Sequence, residues 1–174
     1  LKTEFPEWAV SGSKGRERRF LTSINLDPAA QEVTDLRLMR RWQEIEKNEV
    51  RFKEYFLEDA QFVVIGFGSA GRIALSAVRA ARAEGIKVGL LRPISLNPFP
   101  FKQVEDLSKH VDGMLVVEMN AGQMLEDVRL AAKGRTQIEF YGRFGGVVPF
   151  PDEVLSEIHR LVSEKPNLDG HPRD

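Results

Sequence analysis

Cysteine is absent from all 174 residues. Its absence excludes disulfides, thiolate-ligated zinc and cysteine-held iron–sulfur clusters within these residues. Excess charge of either sign is missing too. The formal net charge is −1, so no global field draws nucleic acid or an anionic membrane. No apolar run approaches the length of a membrane span, and no secretory signal is read at the start. The expected address is cytoplasmic, with neither nucleic acid nor membrane as partner. The chain opens on Leu1 rather than Met, which reads as a piece of something longer. Histidine is scarce: His110, His159 and His171 stand without acid or cysteine partners at useful spacing, so no metal site or nucleophile dyad is read. Ser11, Ser13, Ser69 and Ser76 lack any G-x-S-x-G context. No catalytic constellation emerges.

What is present is a glycine pattern. "FVVIGFGSAGRIALSAVRAARAEG" sets Gly66, Gly68 and Gly71 between an apolar run and an alanine-rich one. Bare backbone in such a turn admits a pyrophosphate at a helix N-terminus. The dinucleotide fingerprint also needs a carboxylate about 20 residues on, to take the ribose hydroxyls. That position falls on Leu90, Leu91 and Arg92, and no acid is there. Arg92 would suit a 2′-phosphate, which keeps an NAD(P)-binding oxidoreductase as the alternative reading. Otherwise Gly66, Gly68 and Gly71 are a structural strand-to-helix turn, since close packing alone selects glycine.

The rest of the chain falls into two parts. Residues 1–50 are polar and interrupted. "SGSKGRERRF" reads as a loop carrying Lys14, Arg16, Arg18 and Arg19. Asp27 then serves as an N-cap with Pro28 at the first helical position, opening one long charged helix to about Asn48. Its partial apolar stripe is Val33, Leu36, Met39 and Ile45, with Leu38 and Trp42 beside it. A helix this polar spans between domains or lies across a partner. From Phe52 onward strands and helices alternate, which argues for an α/β layered, mostly parallel sheet. "FKEYFL" turning at Glu58-Asp59 into "FVVIGF" reads as a pair of antiparallel neighbours. Ser69 is expected to cap the helix whose inner face is Ile73, Ala74, Ala77, Val78 and Ala81. The tail 166–174 is expected to be disordered.

Several unusual segments occur in order: "WAVSGSKGR", "LRPISLNPFPFKQVEDL", "VVEMNAGQMLEDVRLAAKGR" and "EFYGRFGGVVPFPDEV". Together they resemble the α chain of 2-oxoacid:ferredoxin oxidoreductases, nearest to the branched-chain 2-oxoisovalerate type. The likeness runs over essentially the whole chain. It implies that residues 1–50 are the edge of an absent N-terminal pyrimidine-binding domain plus a linker helix. Residues 51–165 are then a transketolase C-terminal-like domain: a three-layer αβα sandwich on a mixed, mostly parallel five-stranded sheet, with the first strand antiparallel.

The resemblance also implies a role. The holoenzyme decarboxylates a 2-oxoacid on thiamine diphosphate and Mg²⁺. It passes electrons through [4Fe–4S] clusters to ferredoxin and forms an acyl-CoA with coenzyme A. This portion would bind none of these alone and would serve as a non-catalytic assembly domain. Its partners would be a β chain holding the thiamine diphosphate pyrophosphate site and an iron–sulfur subunit, with ferredoxin reached indirectly. An independent interaction module is the remaining alternative.

Polar-edge or interface candidates follow from the residues themselves. Glu118 ends a buried strand, at the edge where open α/β sheets bind things. It either accepts from a partner's arginine or caps the helix beginning near Gly122. Asn120 and Gln123 each donate and accept, so with Glu118 they form an edge suited to a subunit contact. Arg143, between Gly142 and the pair Gly145-Gly146, is either solvated or placed for a bidentate carboxylate pair across an interface, Glu118 included. The Lys14–Arg19 loop either meets phosphate, as in coenzyme A, or is simply solvated.

Overall fold

The computed structural model describes residues 6, 8–10, 12–20 and 22–164. Ser11, His171 and the tail 166–174 lie outside them. The chain divides into two compact units, 1–44 and 45–174.

The first unit contains the loop around the basic cluster and most of helix α1 (Pro28–Glu49). Asp27 opens α1 as anticipated: its carboxylate accepts from the Ala29 N–H at 3.2 Å, and its carbonyl from Gln31 at 3.0 Å. The apolar stripe stays largely uncovered, with only Ile45 of its members half-buried. None of the residues of α1 is buried, and Val33, Leu36, Leu38, Met39 and Trp42 are all exposed.

The second unit is built on five strands: β1 (Phe52–Tyr55), β2 (Phe62–Gly66), β3 (Val88–Pro93), β4 (Gly113–Glu118) and β5 (Gln137–Gly142). Their order is β1-β3-β2-β4-β5, all parallel except β1, which runs antiparallel to β3. The helices are α2 (Gly68–Ala83), α3 (Phe101–Leu107), α4 (Gln123–Ala132) and α5 (Pro151–Ser163).

Alternation along the strands decides the layering. Phe62 and Val64 of β2 point to one face, where they meet Ala74, Ala77 and Ala81 of α2 and Val154, Ile158 and Leu161 of α5. Val63 and Ile65 point to the other, against Val104 of α3 and Met124, Leu125 and Val128 of α4. Both faces of β2 are therefore covered, and its five residues are all buried. The result is a three-layer αβα sandwich on a mixed, mostly parallel sheet, as the resemblance implied. The alanines of α2 have a mechanical purpose: small side chains let this helix lie close to the sheet.

One expectation about the sheet is corrected. β1 is antiparallel to the rest, but its neighbour is β3 and not β2. Gly89 in β3 explains the route. A side chain there would stand 2.6 Å from both the Phe56 carbonyl and the Leu57 side chain, so the connection presses across the β3 backbone on its way to β2. Phe56 takes φ +56° to make the turn. A second correction concerns α2. Its N-cap is Phe67, with no side-chain cap, and Ser69 falls inside the first turn. The glycine turn starts the helix two residues sooner than a serine cap would.

Candidate functional site

The order β1-β3-β2-β4-β5 places a topological switch between β2 and β4, because connections leave these two neighbours in opposite directions. At the C-terminal ends of those strands lies a cavity of about 160 Å³, lined by Phe67, Leu96, Glu118, Asn120, Gln123 and Asp127 among others. Three of the four polar-edge candidates thus meet in one place.

Glu118 is the last residue of β4 and is fully buried. Its Oε2 accepts from the Met124 N–H at 3.0 Å and from Asn120 Nδ2 at 2.9 Å, and its Oε1 accepts from the Leu125 N–H at 2.9 Å. Asn120 Oδ1 accepts from the N–H groups of Gly122 (2.8 Å) and Gln123 (3.0 Å). Between them the two side chains satisfy four successive donors at the start of α4, which an unassisted helix leaves open. A carboxylate at this end also complements the helix dipole. The loop can fold this tightly because Gly122 adopts φ +99° and a side chain there would press on Leu125 at 3.1 Å.

The chemistry left over is small. Both oxygens of Glu118 are engaged, so it is a cap and an anchor for Asn120. Gln123 is exposed beside it. Asp127, one turn along α4, has its carboxyl pushed above the ordinary range by burial first, then by the charges of Glu126 and Glu118.

Arg143 follows β5 on the same edge. Its backbone N–H donates to the Glu118 carbonyl at 3.2 Å, but its guanidinium faces Glu153 of α5 at 3.5 Å and not the Glu118 carboxylate. Glu118 is sealed behind its own helix, whereas Glu153 stands open at the first turn of α5, where its Oε2 also accepts from the Phe150 N–H at 2.7 Å. Tyr141 completes this group. Burial and then the Glu153 carboxylate raise its phenol above the usual range. Beyond Arg143 the loop exposes Phe144, Val147, Val148 and Phe150. Sequence reading missed Tyr141, Glu153 and Asp127. Glu153 carried a signal, an acid three residues after the residue preceding Pro151, which is the helix-start spacing.

The glycine turn behaves as packing. A side chain on Gly71 would stand 2.4 Å from the Gly66 carbonyl oxygen, and one on Gly66 would stand 3.3 Å from Gly71 and from the Val117 carbonyl. These two glycines let α2 sit directly on β2. Gly68, at φ +55°, has open space around it. Arg92 occupies the place of the ribose-binding acid, with Nη2 donating to the Gly68 carbonyl at 3.4 Å.

The cofactors that the resemblance implies ask for ligands of particular kinds. A cluster lacks its thiolates, because the chain has no cysteine. A Mg²⁺–diphosphate lacks an acidic cage: among the described residues no group of three or more His, Asp or Glu is placed to hold an ion. Among the described residues no helix is long and apolar enough to cross a membrane.

Comparison with known proteins agrees with this geometry. Residues 60–161 match the family described as pyruvate:ferredoxin oxidoreductase core domain II. The ketoisovalerate oxidoreductase subunit VorB of Methanothermobacter marburgensis is 41% identical over 157 residues, covering 90% of this chain and 44% of VorB. The chain therefore spans less than half the length of that relative. Among solved structures, a 2-oxoglutarate:ferredoxin oxidoreductase from Magnetococcus marinus superposes with a TM-score of 0.66 at 21% identity, covering 79% of this chain and 24% of that one. A split-gene transketolase, described as an inactive β4 tetramer, superposes with a TM-score of 0.58 at 15% identity, covering 67% of this chain and 42% of that one. At these identities the superpositions show the fold alone.

Proposed function

The chain belongs to the pyruvate:ferredoxin oxidoreductase core domain II family, and from that premise we propose that it is the non-catalytic assembly domain of a 2-oxoacid:ferredoxin oxidoreductase of the ketoisovalerate type. The observation that carries this reading is how the C-terminal edge of the sheet is spent. Glu118 and Asn120 are consumed in shaping α4, while the adjoining loop presents Phe144, Val147, Val148 and Phe150 to the outside. Exposed apolar residues following Arg143 support a contact surface at this loop.

On this reading the whole enzyme converts a branched 2-oxoacid to its acyl-CoA and reduces ferredoxin. Thiamine diphosphate with Mg²⁺ supplies the carbanion chemistry, and [4Fe–4S] clusters carry the electrons. A β chain and an iron–sulfur subunit hold these groups, and residues 1–50 lead from a pyrimidine-binding domain outside this chain. The contribution of these 174 residues is to position those partners.

Reconstitution tests the proposal. The chain is combined with the pyrimidine-binding segment, the β chain and the iron–sulfur subunit, and viologen reduction by 2-oxoisovalerate is followed. Turnover is expected only in the complete mixture. Phe144→Ser with Val148→Ser is expected to weaken co-elution on size exclusion while leaving the melting temperature of the chain unchanged. Decarboxylation by the isolated chain, or undiminished assembly of the double variant, overturns the reading.

A further inference from the structure

The second unit holds a cleft that the assembly reading does not use. Its volume is about 450 Å³, and its apolar walls are Val50, Phe52, Pro98, Phe99, Pro100 and Phe101. We propose that this cleft is a binding site for a small aromatic amine, with its ring against the phenylalanines and its ammonium against Glu46. The cleft shares no residue with the loop 144–150, so the proposal stands or falls apart from the assembly reading.

The walls come from segments that are tied together. Residues 50–52 lead from α1 into β1, and residues 94–100 lead from β3 into α3. The Arg51 carbonyl accepts from the N–H groups of Ile94 at 2.8 Å and Ser95 at 3.1 Å, and the Arg51 N–H donates to Ser95 Oγ at 2.8 Å. Pro98, Phe99 and Pro100 are buried, and the Phe99 and Phe101 rings meet edge to face with centroids 5.1 Å apart. Two prolines and a fixed ring pair have little conformational freedom left to lose, so a ligand meets a standing site.

Size and lining suit a compact organic molecule. Small-molecule sites occupy about 300–1,000 Å³ and are mostly apolar with a few placed polar groups. Phe101 keeps 40% of its surface exposed and Phe52 is half-buried, so ring area is open to a ligand on both sides of the cleft. A planar ring gains more against such surfaces than an alkyl chain does, through edge-to-face and offset contacts.

Charge decides which end the ligand carries. Two of the polar lining residues are already engaged: Lys102 Nζ pairs with Asp106, and Gln103 Nε2 donates to Glu54. The other two, Glu46 and Asn97, make no side-chain hydrogen bond or ion pair among the described residues. The positions three and four residues from Glu46 along the chain are Trp42, Gln43, Glu49 and Val50, and none is a cation. The lining therefore offers a free carboxylate and a free carboxamide but no unpaired cation. An ammonium completes it, whereas a carboxylate would meet Glu46 with like charge.

The test is an NMR titration of the full chain with naphthylethylamine, followed on backbone amides. Saturable shifts are expected at Val50, Phe52, Asn97 and Phe101. Naphthylpropionate, the carboxylate of matching length, is expected to bind about fivefold more weakly. Phe101→Ala is expected to raise Kd about tenfold through the lost ring contact. Val50→Trp, which fills the cleft, is expected to abolish binding and serves if Phe101→Ala alters the melt. Glu46→Gln, at an exposed position, is expected to erase the preference for the amine. Shifts that do not saturate overturn the proposal, as does equal affinity in the Phe101 and Val50 variants. A preference for the carboxylate overturns it too, and so does an amine preference that survives Glu46→Gln. The titration is repeated on the reconstituted complex, where binding is expected to persist. Its loss there refutes the small-molecule site, since the cleft then seats a side chain of a partner subunit.

Discussion

Replacing Glu118 by Gln preserves shape and removes one negative oxygen. In the native arrangement Oε2 serves Met124 and Asn120, and Oε1 serves Leu125. The glutamine oxygen keeps the two-bond position, so its NH₂ faces the Leu125 N–H, donor against donor. A charge-assisted bond is lost and a buried donor is left unpaired, about 2–3 kcal/mol together. Removing the charge from the α4 N-terminus costs about 0.5 kcal/mol more. The sum, about 3 kcal/mol, corresponds to a fall in Tm of about 10 °C for a unit of this size. Glu118→Ala loses all three bonds and leaves a void, about 5 kcal/mol.

Thermal unfolding followed by far-ultraviolet circular dichroism is the assay, with urea titration to check that the slope is unchanged. A Gln variant melting within about 2 °C of the native chain refutes the reasoning. It would mean that burying the charge costs as much as its hydrogen bonds return. If that stable variant also abolished turnover in the reconstituted enzyme, Glu118 would be a proton-transferring group instead of a cap.

Two further outcomes follow from the glycine turn and from α3. Gly71→Ala should cost about 2 kcal/mol or more in urea unfolding, because its new carbon meets the Gly66 carbonyl oxygen at 2.4 Å. Gly68→Ala, strained only by φ +55°, should cost about 1 kcal/mol, and equal costs would defeat the packing account. The Asp106 carboxyl is held down at about 2 by its hydrogen bond to Lys102, then by the one to Lys109, against an ordinary value of 3.8. Because the folded value is the lower one, its contribution is complete above about 4 and is lost as pH falls through about 2. Carbon-detected NMR titration should show this, and Lys102→Gln with Lys109→Gln should return Asp106 towards 3.8; an unmoved titration refutes the attribution.

The elements that sequence reading placed well are those fixed by local pattern. The continuous apolar runs of β2 and β4 and the alanine face of α2 each follow from nearest neighbours along the chain. Asp27 and Pro28 opened α1 for the same reason. What failed was decided by residues far away. Whether β1 lies against β2 or β3 turns on Gly89, which gives the connection from Phe56 a path across β3, and nothing near "FKEYFL" records it.

The same division runs through the candidate site. Glu118 was legible as a strand-end carboxylate, and its helix-capping reading needed only the N–H groups of Met124 and Leu125, six and seven residues on. Arg143 was legible only as a cation on a glycine-flanked loop. Which acid it faces depends on how α5 returns against β5, a tertiary decision, and Glu153 won because Glu118 was already enclosed. Gly66 and Gly71 show why a motif misleads when lifted from its surroundings. Tight strand-to-helix packing and close phosphate approach ask for the same residue at the same spacing. The two are separated only by what stands at the end of β3, and here that is Arg92.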